Sequence, residues 1–203
     1  MTTPNGKHGP AVAHMFFNEH EARTIAAMAE RIFPGDSTDA GATDADVIVY
    51  IDRALAGYGR HLQRLYRRGV VAINRLAADI RKGKSFEGLP ASEQDRIMTR
   101  LAGWIFSPSK SDESERPADW KLLAEFFGAV RLHTIEGMFC DPMYGGNKDC
   151  AGWKLIGFPG AQWGYSAEQM KLGFDATTIP IKTLSDLRLE QVEKTGAKQE
   201  SRN

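Results

Sequence analysis

At 203 residues the chain is long enough to bury one substantial core and too short to need two domains. Hydrophobic residues make up 42% and charged residues 26%, an ordinary globular balance, with Lys+Arg and Asp+Glu equal at 26 each. The neutral balance excludes the basic excess of a nucleic-acid binder, and no apolar run approaches the roughly 18 residues of a membrane span.

The first ten residues are polar and loop-like, without the basic region and apolar stretch of a secretory signal. Residues 1–15 are expected to be a flexible N-terminal segment. Asn18, with Glu21 three positions on, predicts a capping box opening a helix with Ala22, Ile25, Ala26, Ala29 and Ile32 on one face. Phe33-Pro34-Gly35-Asp36 ends it, and Asp44 is the expected cap of a second helix carrying Val47, Ile48, Ile51 and Leu55. Gly57 and Gly59 interrupt that helix.

The next helix has the cleanest apolar stripe: Leu62, Leu65, Tyr66, Ile73, Leu76, Ala77 and Ile80. Its other face carries Arg60, Arg64, Arg67, Arg68, Arg75 and Arg81, either a solvated face or a surface for an acidic partner. Lys82-Gly83-Lys84 stops it. Leu89-Pro90 introduces a helix with Ile97, Met98, Leu101 and Ile105, and a polar run from Ser109 to Arg116 reads as an exposed loop. A last main helix starts after Pro117, carries Leu122, Leu123, Phe126, Phe127 and Val130, and is expected to end near Ile135. No window alternates long enough to predict a strand. The expected fold is therefore all-α: one irregular helical bundle over residues 16–174, with residues 175–203 an extended tail that is frayed or docks on another chain.

Residues 137–160, Gly-Met-Phe-Cys-Asp-Pro-Met-Tyr-Gly-Gly-Asn-Lys-Asp-Cys-Ala-Gly-Trp through Gly-Phe-Pro-Gly, form the most distinctive segment. Turn formers are mixed with aromatic rings, the composition of an ordered loop rather than a disordered linker. A long ordered loop in a compact domain is usually functional. Both cysteines, Cys140 and Cys150, lie in it. Their spacing is open to a disulfide around the Gly-Gly turn or to two free thiols. His133, Glu136, Asp141 and Asp149 are the residues most like a site. They read either as a metal or acid/base cluster, the basis of a stand-alone enzyme at His133, Glu136 and Asp141, or as side chains satisfying the loop backbone.

Chemistry-bearing motifs are otherwise missing. There is no GxGxxG, GxxxxGK[ST], HExxH or GxSxG, and two cysteines cannot hold an iron–sulfur cluster, which takes about four. The chain is expected to have no catalytic, cofactor-binding or metal-binding residues of its own. Tyr144, Trp153 and Trp163 could stack a sugar or cofactor, or anchor a protein interface, where Tyr and Trp are enriched; Phe139, Asp141, Tyr144, Asn147, Trp153 and Phe158 are the expected partner-binding residues.

The sequence resembles the gluconate 2-dehydrogenase subunit 3 family, from about Phe16 to Gln169. The resemblance rests on His133-Thr134-Ile135-Glu136-Gly137-Met138-Phe139, Asp141-Pro142, Tyr144-Gly145-Gly146-Asn147, Gly152-Trp153-Lys154 and Gly157-Phe158-Pro159-Gly160. Upstream it includes Ile32-Phe33-Pro34 and Tyr50-Ile51-Asp52. It implies the small, non-catalytic subunit of a membrane-associated, FAD-dependent sugar or sugar-acid dehydrogenase. FAD would sit in a large subunit of the glucose-methanol-choline oxidoreductase type, with haem c in a third, cytochrome subunit. It further implies a chaperone-like role in maturation and twin-arginine export of the flavoprotein, and a periplasmic location. No Arg-Arg pair precedes the first helix, so the cytoplasm is the alternative location.

Overall fold

The computed structural model describes residues 13–106 and 116–200, with side chains described to residue 195. The fold is all-α. Its helices are α1 (Glu19–Ile32), α2 (Val47–Ala56), α3 (Gln63–Ile80), α4 (Ala91–Phe106), α5 (Trp120–Phe139), α6 (Ala151–Leu155) and α7 (Leu184–Glu200). Among the described residues the nearest thing to a sheet is one isolated parallel bridge, Gly160 to Lys182.

The capping box at α1 forms as its sequence predicts. Asn18 Oδ1 accepts from the Glu21 N–H at 2.9 Å, and Glu21 returns the bond to Asn18 N at 3.0 Å. Ala22, Ile25, Met28 and Ala29 are then buried on one face. The loop after α1 is organised by Glu30, whose carboxylate accepts from Gly35 N and from Thr43 N and Oγ1. Asp44 belongs to that loop, accepting from Gly41 N, and does not cap α2. The residue before α2 is Asp46, left-handed at φ 51° and without a side-chain cap. A cap is superfluous there because loop carbonyls take the first N–H groups, Val47 N bonding Ala42 O and Asp46 N bonding Thr43 O.

The apolar stripe of α3 is buried as expected, Tyr66, Ile73 and Ala77 fully. Gly69 sharpens it: a Cβ there would overlap the ring of Phe126, so the missing side chain lets α5 close on α3. Much of the arginine face is engaged within the chain. Arg67 pairs with Glu21 and lies over the Phe16 ring, Arg81 Nε reaches both Glu93 oxygens, Arg60 Nε bonds Ala56 O, and Arg75 sits 3.7 Å from Asp119.

α4 starts at the Pro90 boundary and buries Ile97, Met98, Leu101 and Trp104. The polar run after Pro108 lies outside the described residues apart from Arg116. α5 is the hub, packing against α1, α2, α3 and α4. It continues a full turn beyond Ile135, because Gly137 is used for packing rather than as a stop. Its bare Cα faces Val47 and Tyr50, so α2 and α5 approach closely at that point.

The stretch expected to be an extended tail is helical from Leu184 to Glu200. No clear apolar stripe announces this helix. It is anchored through Leu187, which is buried, and leaves Leu189 and Val192 exposed. Of the N-terminal segment, residues 13–15 are described and residues 1–12 lie outside the described part. The chain enters the domain through Asp52, on α2. Its carboxylate accepts the N–H groups of Met15 at 2.5 Å, Phe16 at 3.0 Å and Phe17 at 2.9 Å.

Candidate functional site: the loop after α5

The segment following α5 is not wholly irregular. It contains two 3-10 turns, Pro142–Tyr144 and Lys148–Cys150, followed by the five-residue α6. Pro142 starts the first turn, where its missing N–H costs nothing, and Asp141 caps it by accepting from Met143 N at 3.0 Å. Gly145 then leaves the turn at φ 104°, which its lack of a side chain permits.

Asn147 is the keystone. It is fully buried and left-handed, with Nδ2 donating to Cys140 O at 2.8 Å and Oδ1 accepting from Gly152 N at 2.8 Å. One amide thus ties the entry of the loop to its exit. Lys148 fastens the far side to the start of α2, through its N–H to Ala45 O at 3.2 Å and its ammonium to Asp46 at 3.0 Å. Gly146 and Gly152 lie directly on the last turn of α5: a Cβ at either would overlap the carbonyl of Gly137 or Met138.

Trp153 sits beneath this layer, 4% exposed, its Nε1–H donating to Phe139 O at 2.8 Å. Phe158 packs edge-on to it with ring centroids 5.3 Å apart, and Gly160 approaches the indole closely enough to exclude a side chain. The chain then pairs back, Ala161 N to Lys182 O at 2.7 Å and Lys182 N to Pro159 O at 3.1 Å. Asp141 completes the circuit by accepting Leu184 N at 2.7 Å.

The six residues singled out as partner-binding therefore divide. Asn147, Trp153 and Asp141 are buried and satisfied within the chain; they shape the loop rather than present themselves to a partner. Tyr144 and Phe158 are 52% and 41% exposed, and Phe139 lines a groove at the loop's edge. Residue type alone did not separate these roles, because Trp and Asn serve both. Trp163 is exposed as well, and so are five apolar residues that the sequence reading did not single out: Tyr58, Met143, Ile156, Met170 and Leu172.

Cys140 and Cys150 are free thiols, so the candidate bridge is not formed. The Cys140 thiol turns back onto its own helix, with Sγ 3.7 Å from Gly137 O. Burial is the main cause pushing that thiol up to about 11, which keeps it protonated and poorly nucleophilic near neutrality. Cys150 is raised too, again chiefly by burial.

His133, Glu136 and Asp141 answer to different partners. His133 is buried, its ring stacked on Tyr66 with Nδ1 2.7 Å from the Tyr66 hydroxyl. Burial lowers its pKa, while Glu136 raises it and His61 lowers it further. Glu136 accepts from Tyr50 at 3.0 Å and Tyr58 at 3.2 Å, not from loop backbone. Asp141 is committed to Met143 and Leu184, and Asp149 takes a left-handed conformation in the second turn. Among the described residues, no group of three or more His, Cys, Asp or Glu is arranged to hold a metal ion.

Beside the loop lies an open groove of about 530 Å³, lined by Tyr50, Tyr58, Glu136, Phe139 and Tyr144 among others. The family model for gluconate 2-dehydrogenase subunit 3 matches residues 19–160, from α1 through the whole loop just described. The chain belongs to this family. Searches of curated proteins and of solved structures returned no match. The family span closes at Gly160, so Lys182, its bridge partner, and α7 lie beyond it. No helix among the described residues is long and apolar enough to cross a membrane.

Proposed function

We propose that this chain is a non-catalytic small subunit of a heteromeric, FAD-dependent sugar or sugar-acid dehydrogenase. It binds and stabilises the flavin-bearing large subunit and assists that subunit's maturation or export. FAD belongs to the large subunit and haem c to a cytochrome subunit, and the assembled complex works in the periplasm. Family membership over most of the chain supports the assignment to such a complex.

The observation that carries the docking role is the division within the loop. Exposed Tyr144 and Phe158 are mounted on a frame locked by buried Asn147 and Trp153. Rigid aromatic residues on a fixed frame lose little conformational entropy on binding and serve as interface anchors.

The chain's own residues do not fit a flavin dinucleotide. Its sequence lacks the glycine fingerprint, and the groove beside the loop presents the Glu136 carboxylate, which would repel a diphosphate. Hydride transfer from a sugar hydroxyl to FAD would accordingly use residues of the large subunit.

Co-expression with a candidate flavoprotein from the same genome, followed by affinity purification, tests this reading. A stoichiometric complex is expected, weakened by Tyr144→Ala and Phe158→Ala. A flavoprotein that is soluble, flavin-loaded and active alone, with no co-purification, would overturn it.

A further inference from the structure

The groove holds a carboxylate with no cation to answer it. Glu136 projects from α5, and its Oε2 lies 3.0 Å from the Tyr50 hydroxyl and 3.2 Å from the Tyr58 hydroxyl, which lie 2.8 Å from each other, so that two hydroxyl protons are shared among three contacts. Its other oxygen takes no hydrogen bond from any described residue, and no described Lys, Arg or His pairs with it. Arg53, one turn along α2 from Tyr50, directs Nη1 to Met143 O at 3.5 Å instead. The lining also includes Ile135, Cys140 and Asp141, whose carboxylate is already committed to Met143 and Leu184, together with three rings: Tyr58, 67% exposed, Tyr144, 52% exposed, and Phe139.

An anion set among ring walls is the complement of a delocalised cation. Ring faces attract guanidinium and ammonium groups, and guanidinium both stacks on rings and offers a donor fork to a carboxylate. We propose that this groove receives the guanidinium of an arginine side chain presented by the flavoprotein partner. The proposal rests on the assembly reading above and adds the chemistry of one contact. A protein side chain fits better than a free small molecule because the groove is open rather than enclosed. Small-molecule sites bury most of their ligand. The groove also shares Tyr144 with the docking loop.

The groove's chemistry is read first, on the isolated full chain, by NMR titration with N-acetyl-arginine amide. Its neutral isostere, N-acetyl-citrulline amide, is the control. Arginine amide is expected to shift the Tyr50, Tyr58 and Tyr144 ring resonances, with citrulline amide weaker by about tenfold or more. Glu136→Gln keeps an acceptor for both tyrosines and is expected to remove the preference for arginine while leaving the thermal midpoint in place. Equal responses to the two probes, or an unchanged preference in Glu136→Gln, overturn the proposal.

The source of the arginine is read in the assembled complex, where Glu136→Gln should weaken affinity by about tenfold. Unchanged affinity overturns the partner's arginine as occupant. If wild-type chain and flavoprotein fail to assemble, the assembly reading falls and the partner assignment with it. The probe titration still decides what the groove binds.

Discussion

The carboxylate of Asp141 accepts the backbone N–H of Leu184 at 2.7 Å, across 43 positions of sequence, while also capping its own turn at Met143. One side chain thus fixes the start of the loop and the start of α7 together. Asp141→Ala is expected to lower the unfolding free energy by about 2 kcal/mol, the scale of hydrogen bonds to a charged group. Asp141→Asn retains one acceptor oxygen and loses less. Denaturant titration measures the loss, and faster hydrogen exchange at Leu184 in the alanine variant locates it.

Asp52 predicts a larger effect. Three consecutive N–H groups, from Met15 to Phe17, share its carboxylate, and Asp52 is buried. Asp52→Ala leaves these donors without acceptors at a cost of about 3–5 kcal/mol. Asp52→Asn keeps Oδ1 for Phe16 and Phe17 and is expected to be milder. Urea unfolding of both variants checks the order.

These two carboxylates show what could be read from sequence and what could not. The Asn18–Glu21 box was legible because its partners are three residues apart and the physics is local. The α3 stripe was legible for the same reason, since periodicity is a property of one segment. Asp52 reaches residues 35 to 37 positions away, and Asp141 reaches Leu184 over 43. No local pattern encodes either. α7 was missed because its residues lack a clear apolar stripe, and Asp44 does not act as a cap because its carboxylate takes Gly41 N while the carbonyls of Ala42 and Thr43 serve the start of α2. The turns of the loop were legible from its Gly, Pro, Asp and Asn; which rings point inward was not.

The His133–Tyr66 pair predicts a pH dependence of stability. Burial holds the His133 pKa below 6.5, the ordinary value, so the folded state resists protonation where the unfolded chain accepts it. The unfolded state then binds more protons from about pH 6.5 down to the depressed folded value. Stability is expected to fall as pH drops through that window and to be indifferent to this residue above it. His133→Gln should flatten that part of the profile in denaturant titrations collected from pH 8 to 5. Tyr66→Phe should lower stability across the range by about 1–2 kcal/mol, because the buried Nδ1 loses its partner.

Trp153 and Tyr144 are expected to part company on mutation. Trp153→Ala removes a buried indole and the bond to Phe139 O, costing about 3–5 kcal/mol of folding stability. Tyr144→Ala, at a half-exposed position, is expected to change stability by less than about 0.5 kcal/mol. Thermal melts of the isolated chain separate the two. An equal loss in both would show that Tyr144 also supports the fold.

The glycines at 146 and 152 leave no space between the loop and the end of α5. A layer seated that closely cannot swing as a lid without first peeling off the helix and breaking both Asn147 bonds. Under the proposed docking role, recognition by this surface is expected to proceed by collision of a preformed shape, not by folding upon contact. Its association rate should be governed by orientation and charge, and differences in lifetime among variants should appear in dissociation.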